Sequence, residues 1–296
     1  KSPENRFGIL LHEDAKLFSS SVGKTIVSYV LGNAVCEGYI DGVNSKIDDW
    51  PLIKNTLYDG QKIIDVINMS AGDQEYINIK ERVKKTGNTA GNYTIKYLME
   101  EIFKNSTKKK QKWNYSGLPA PLINNYIWFK SNGDYQKILD KTFKEKAKIK
   151  HSVQFRTKKY DKNYEDRIAT YEDGILDSHF WATRYDYLRI AKAMLDDWQN
   201  DTCVGKYLKT VFNNRVNKNY QGNVDNNSNW FNPKQYAGFF HTGYTGMKDR
   251  AVMGMDGNGG QSIMIDFDRG RIIVIKSIHN NYNWKKIAHS VIKKGK

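Results

Sequence analysis

The chain has 296 residues, of which 39% are hydrophobic, 27% charged and 13% aromatic; that balance is ordinary for a globular protein and excludes a disordered chain. Its longest apolar stretch, Ile26 to Val35, is interrupted by Ser28, Gly32 and Asn33 and falls short of the roughly 20 residues that a spanning helix needs. A net charge of +15 fits an anionic partner or a Lys-rich proteome, but the positive residues lie in solvated runs such as Lys108 to Lys110, without Arg–aromatic interleaving or zinc-finger spacing, so no nucleic-acid partner is expected.

In chain order, Phe7 to Leu11 reads as a short strand. Residues 21–40 read as a helix, because Ile26, Val27, Val30, Leu31 and Ala34 recur at helical spacing and Gly38 fits its stop. A short helix over 61–69 ends at Ser70-Ala71-Gly72, an amphipathic helix covers 93–104, and 104–112 is a polar, basic loop. Residues 183–196 are strongly helical, with Tyr187, Ile190, Ala191 and Met194 on one face. The Asn-rich stretch 213–234 reads as a long surface loop. Ser262 to Phe267 alternates like a half-buried strand, Asp268-Arg269-Gly270 turns, and Arg271 to Ser277 is a second strand. Trp284, Ile287, Ala288, Val291 and Ile292 mark a closing amphipathic helix.

The order implies an α+β fold: an antiparallel sheet flanked by helices plus a mainly helical lobe. Residues 1–20 and 235–296 would form the sheet domain, and 21–234 the mainly helical region. Two cysteines, Cys36 and Cys203, make no disulfide framework, and Cys36, inside an apolar helix pattern, is expected to serve as core packing. Neither has a partner at metal-ligand spacing, and neither a metal nor a cofactor is expected. The chain begins at Lys1 rather than Met, which fits a removed leader or a start inside a longer product.

The sharpest local feature is Ser19-Ser20-Ser21-Val22-Gly23-Lys24 at the mouth of the first helix. Ser21 and Lys24 are three apart and share a helical face. A lysine there can take the serine proton, and the free N–H groups of a first helical turn can stabilise an oxyanion. The competing reading of Ser21 is a plain helix N-cap. Ser106-Thr107-Lys108-Lys109 matches the same Ser-x-x-Lys pattern in a charged loop and carries no such meaning. Gly23-Lys24-Thr25 is not a phosphate-binding loop, because Phe18 stands where that loop needs its first glycine.

Around Ser21 the chain resembles the serine β-lactamase and penicillin-recognising superfamily, most closely the class C branch with its esterases and 6-aminohexanoate-dimer hydrolases. FSSSVGKTIVSYVLGNAVCEGYI (18–40) is similar to that family's nucleophile helix, SKIDDW (45–50) to the segment after it, and IIDVINMSAG (63–72) to a following helix end. Trp113-Asn114-Tyr115-Ser116-Gly117 falls where the family has its tyrosine motif, and FWATRYDYLRIAKAML (180–195) resembles a later helix. Met255-Asp256-Gly257-Asn258-Gly259-Gly260-Gln261, followed by SIMIDFDRGRIIVI, resembles the active-site strand and the hairpin beyond it. The matches occur in the family's order over roughly residues 18–278.

The resemblance implies that Ser21 is acylated, that Lys24 assists its deprotonation, and that Tyr115 carries a proton to the leaving group. The backbone N–H groups of Ser21 and Asn258 would form the oxyanion hole, with Gly257 and Gly259 letting substrate approach. Asp256, Gly117 and His241 are candidate pocket residues. Two departures bear on substrate. Gly117 stands where the family usually has Asn, and Met255 where many members have Lys or His; the second removes the usual partner of a substrate carboxylate. Lys85-Thr86-Gly87 matches the third motif literally but precedes Tyr115, which is the wrong order. His241-Thr242-Gly243 is of the right type and late in the chain, yet MKDRAVMG intervenes before the next strand, so 255–261 is the preferred match and His241 is expected to line the cleft.

The family places a helix and two strands before its nucleophile helix, whereas about twenty residues precede Ser21, so the N-terminal part of the sheet is expected to be incomplete. The resemblance implies a serine hydrolase acting on a small ester or amide. A β-lactamase or D,D-peptidase is the alternative within the enzyme class, and a non-catalytic ligand-binding protein the alternative outside it. It also implies a bacterial periplasmic or cell-envelope location, with the cytoplasm left open.

Overall fold

The computed structural model describes residues 14–77, 93–158, 168–218, 233–276 and 284–294. The strand β1 (Leu17–Phe18) leads into a long helix α1 (Val22–Cys36). Strands β2 (Lys46–Ile47) and β3 (Gln61–Lys62) pair ahead of α2 (Ile63–Ile67) and α3 (Gln74–Ile77). The helical part continues through α4 (Ile95–Glu101), α5 (Pro119–Ser131) and α6 (Tyr135–Asp140) to β4 (Trp181–Ala182), α7 (Arg184–Gln199) and α8 (Cys203–Asn213). Then come β5 (Val216–Asn217), β6 (Gln235–Ala237), β7 (Phe240–Thr242), β8 (Val252–Gly257), β9 (Gln261–Asp266) and β10 (Arg271–Ile275), closed by α9 (Trp284–Lys294).

β10, β9, β8, β7, β6 and β5 form one antiparallel sheet in that order. The α+β architecture read from the sequence is the one observed. The expected strands around 262–267 and 271–277 are β9 and β10, joined by a turn in which Gly270 has φ +67°. The proposed strand at Phe7 to Leu11 lies outside the described residues, as does most of the expected loop 213–234, whose described start contributes β5.

α1 is buried on every side from Val22 to Ala34. It packs against α5 and α8 and against β8 and β9. That position explains a sequence that is apolar nearly all round rather than striped. Its buried polar side chains find partners: Thr25 Oγ1 donates to the Phe239 carbonyl at 2.8 Å, and Asn33 Nδ2 to the Tyr29 carbonyl at 2.9 Å. Tyr29 Oη donates to Asp197 at 2.6 Å, which also accepts from Lys146.

The cysteines correct the sequence reading. Cys36 is not a core-packing thiol; it is disulfide-bonded to Cys203 across a sequence separation of 167 residues. It ends α1, Cys203 begins α8, and their Cα atoms are 5.8 Å apart. The two helices approach closely because Gly32 has no side chain: a Cβ there would lie 2.6 Å from the Tyr207 ring of α8. Among the described residues, no helix is long and apolar enough to cross a membrane, and no group of His, Cys, Asp and Glu could hold a metal ion.

Candidate active site

The chain reaches Ser21 through a tightly held turn. β1 pairs with β4 rather than with the main sheet, matching Leu17 to Ala182 and Phe18 to Trp181. Ser19 then donates its N–H to the Phe180 carbonyl at 2.9 Å and accepts the Phe180 N–H on Oγ at 3.1 Å. Ser20 takes φ +48°, a left-handed conformation that costs a non-glycine residue and that surrounding contacts must enforce. The helix begins at once, and Gly23 lies so close to the next segment that a Cβ would fall 1.9 Å from the Ser178 carbonyl oxygen.

That segment is itself anchored by ions. Buried Asp177 accepts from Arg156 Nε at 3.0 Å, lies 3.0 Å from His179 Nδ1, and receives the Ser178 N–H at 2.6 Å. Burial alone would raise its carboxyl, but His179, Lys158 and Arg156 hold it well below the usual carboxylate range. Lys158 is pushed down to about 8 by its burial, against the pull of Asp177.

Ser21 has helical backbone angles and its side chain makes no capping bond. Its Oγ instead accepts from Lys24 Nζ at 3.2 Å. Lys24 is only 4% exposed, and its Nζ lies 5.1 Å from the centre of the Tyr115 ring. Tyr115 is 37% exposed and points its hydroxyl at Met255 Sδ, 3.9 Å away. It comes from a stretch without helix or strand, pinned at three points. Leu57 donates to Ser106 Oγ at 2.9 Å, Lys109 to the Gly72 carbonyl at 3.3 Å, and Asn114 to the Met69 carbonyl at 2.9 Å. The turn after α2 therefore fixes the loop that carries Tyr115.

The end of β8 forms the opposite edge. A Cβ on Gly257 would lie 3.0 Å from Ser20 Cβ and 3.2 Å from the Ser19 carbonyl oxygen, so this strand abuts the turn before Ser21. Asn258 is exposed in the tight turn to β9, in which Gly259 has φ +84°. Among the described residues, neither the Ser21 nor the Asn258 backbone N–H donates to a protein acceptor. His241 of β7 sits opposite Gly254 and stacks on Tyr115 with ring centres 6.0 Å apart.

Ser21, Lys24, Tyr115, Met255, Gly257 and His241 thus come together. The Asp256 carboxylate accepts from Ser262 Oγ at 2.9 Å, and Gly117 is exposed just before α5. Lys85-Thr86-Gly87 lies outside the described residues. Sequence reading missed Lys218 and Tyr236. Lys218 Nζ lies 2.6 Å from His241 Nδ1, and the Tyr236 ring centre is 6.3 Å from that of Tyr115. Lys218 directly follows a strand of two residues and Tyr236 lies in one of three, too short for any alternation to show.

No family model matches the sequence, and no curated protein matches it. Solved structures do match. A D-stereospecific amidohydrolase from Streptomyces sp. is 14% identical and superposes with a TM-score of 0.62, over 96% of this chain and 88% of that one. A penicillin-binding protein from Bacillus halodurans is 11% identical, with a TM-score of 0.61 over 94% and 85% of the two chains. A class C β-lactamase carrying a Tyr-to-Phe substitution is also 11% identical, with a TM-score of 0.61 over 95% and 83%. The chain has the serine β-lactamase/transpeptidase-like fold, one that β-lactamases and an amidohydrolase share.

Proposed function

We propose that this protein is a serine hydrolase that cleaves a small ester or amide through an acyl-enzyme on Ser21. The observation that carries the proposal is the contact of buried Lys24 with Ser21 Oγ at 3.2 Å, beside the Tyr115 ring. Lys24 is the group within reach of the serine proton as Oγ attacks the carbonyl carbon. Negative charge then develops on the carbonyl oxygen, where the unengaged N–H groups of Ser21 and Asn258 are the donors available. Tyr115 delivers a proton to the departing oxygen or nitrogen and regains one from Lys24; water then attacks the acyl-serine, freeing the acid and leaving a proton to restore Ser21 Oγ–H. Gly257 and Gly259 keep the strand end open to substrate.

An ester or linear amide is favoured over a β-lactam or D,D-peptide because Gly117 and Met255 stand where the resembled family usually has Asn and, in many members, Lys or His. The test is intact mass after incubation with a fluorophosphonate probe. A single adduct on wild type, absent from Ser21→Ala, is expected; no adduct on folded wild-type protein refutes acyl transfer and leaves a binding protein on this fold. Nitrocefin turnover outpacing that of p-nitrophenyl acetate would instead favour the β-lactamase reading.

The Cys36–Cys203 disulfide supports export to the bacterial periplasm or cell envelope, because such bonds persist where the surroundings are oxidising. Recovery of the native protein from the cytoplasmic fraction, with both thiols free to alkylation, would refute that location.

A further inference from the structure

Tyr115 comes from a stretch without helix or strand, and its hydroxyl does little to hold it, since Met255 Sδ at 3.9 Å is a weak acceptor. Rings hold it instead. His241 lies nearly parallel to Tyr115, with ring centres 6.0 Å apart and planes inclined by 17°. Tyr236 meets it edge-on, at 6.3 Å and 87°. Both separations lie within the range over which aromatic rings attract. Tyr236 and His241 are register partners in β6 and β7, and their own rings cross at 5.2 Å and 76°. Two neighbouring strands thus present a corner, one ring flat and one upright, that receives the Tyr115 ring.

Of these two rings Tyr236 is fully buried, whereas His241 is half-buried and needs a tether of its own. Lys218 supplies it, with Nζ 2.6 Å from His241 Nδ1. An ammonium has donors and no acceptor, so Lys218 donates, and His241 carries its hydrogen on Nε2 and no charge. Lys218 is anchored in turn. Its backbone N–H donates to the Lys234 carbonyl at 3.0 Å, its side chain is buried, and its Nζ lies 5.2 Å from the centre of the Trp113 ring. We propose that His241 and Lys218 are positioning residues for Tyr115. The imidazole is the wall that sets the plane of the phenol, and Lys218 fixes the orientation of that wall. Both act through Tyr115 rather than on substrate. The use of the placement, proton delivery to the leaving atom, rests on the acyl-transfer reading; the placement itself does not.

The test compares two acetate esters on the full chain. 4-Nitrophenolate departs without a proton, whereas the ethoxide of ethyl acetate must collect one to leave as ethanol, so the ratio of the two kcat/KM values reads proton delivery. In His241→Ala the ethyl ester should lose about ten- to a hundredfold more than the nitrophenyl ester. His241→Phe keeps a flat ring against Tyr115 and should return the ratio to within about threefold of wild type. Lys218→Met lets the imidazole turn and should shift the ratio in the same direction by about three- to tenfold. Crystal structures of the same variants read the placement without any turnover: Tyr115 Oη should leave Met255 in His241→Ala and stay beside it in His241→Phe. An equal loss on both esters overturns the proposal. So does a shift in His241→Phe as large as in His241→Ala, or a Tyr115 ring that does not move in His241→Ala. A ratio unmoved in folded Lys218→Met removes Lys218 from the assignment. A displaced Tyr115 in a protein that takes no fluorophosphonate adduct would sink acyl transfer alone, whereas an adduct with Tyr115 unmoved would sink the positioning alone.

Discussion

The two walls of the cleft are built in different ways. The helix wall, α1 with residues 177–182 behind it, is locked at each step. Ser19 exchanges two hydrogen bonds with Phe180, Gly23 meets the Ser178 carbonyl, and a buried carboxylate gathers Arg156, Lys158 and His179. The sheet wall rests on β5, β6 and β7, strands of two and three residues, and a single register pair joins β7 to β8. Its polar groups, Lys218, Tyr236 and His241, meet only because three short strands lie side by side. The helix wall has no room for added volume and fixes where a nucleophile stands. The sheet wall can change side chains without disturbing that position, so the contrast predicts that reactivity and selectivity separate by wall.

The largest effect expected is on reactivity. Lys24→Met keeps the length of a buried side chain but removes the amine beside Ser21 Oγ. The rate of fluorophosphonate labelling should fall about a hundred- to ten-thousand-fold, the range for losing a positioned proton acceptor, with the circular dichroism unchanged. A labelling rate within a factor of about three of wild type would show that Lys24 only packs.

Next comes fold stability at the same wall. Gly23→Ala places a Cβ 1.9 Å from the Ser178 oxygen, a backbone atom that cannot swing away. The variant should lose about 3 kcal/mol in denaturant unfolding, at the upper end for an overpacked core. Gly259→Ala at the sheet wall provides the comparison, since the nearest atom to its Cβ is the Gln261 side-chain amide at 3.5 Å. Its cost comes only from φ +84°, about 1 kcal/mol. Equal losses would erase the distinction between the walls.

That distinction also explains what the sequence disclosed. A fifteen-residue helix with an apolar surface, opened by serines and a lysine three residues on, is a local pattern; so are the alternating strands 261–266 and 271–275. Ser21 and Lys24 were legible for that reason, whereas Tyr115, in a stretch without helix or strand, was reached only through the resemblance of residues 113–117 to a family motif. The Cys36–Cys203 bond was not, because 167 residues separate its ends and only the packing of α1 on α8 joins them. Lys218 and Tyr236 were hidden for a related reason. Two- and three-residue strands carry no period, and their partners are set by the register of β5, β6 and β7.

The smallest effect probes how the helix wall is approached. Lys276, just beyond β10, donates Nζ to the Phe18 carbonyl at 2.8 Å and lies over the Tyr187 ring at 3.8 Å, while Tyr187 Oη donates to the Leu17 carbonyl at 2.9 Å. Together they hold the two residues before Ser19. Burial pushes the Lys276 amine down to about 7 from its ordinary 10.5. Between those values the unfolded chain holds a proton that the folded chain has released, so wild-type stability rises with pH across that window. Below pH 7 both forms are charged and the full desolvation cost is present. Lys276→Met removes that cost along with the hydrogen bond to Phe18, so it should stabilise the protein by about 1 kcal/mol at pH 6. The gain should shrink as pH climbs past about 7, be gone near pH 8, and turn into a loss that levels off above about 10.5. Denaturant unfolding of both proteins at pH 6, 8 and 10 reads this directly. A difference that does not change with pH would mean that the Tyr187 ring face and the Phe18 carbonyl keep the ammonium charged throughout, making Lys276 a cationic clamp on the turn before the nucleophile rather than a strained one.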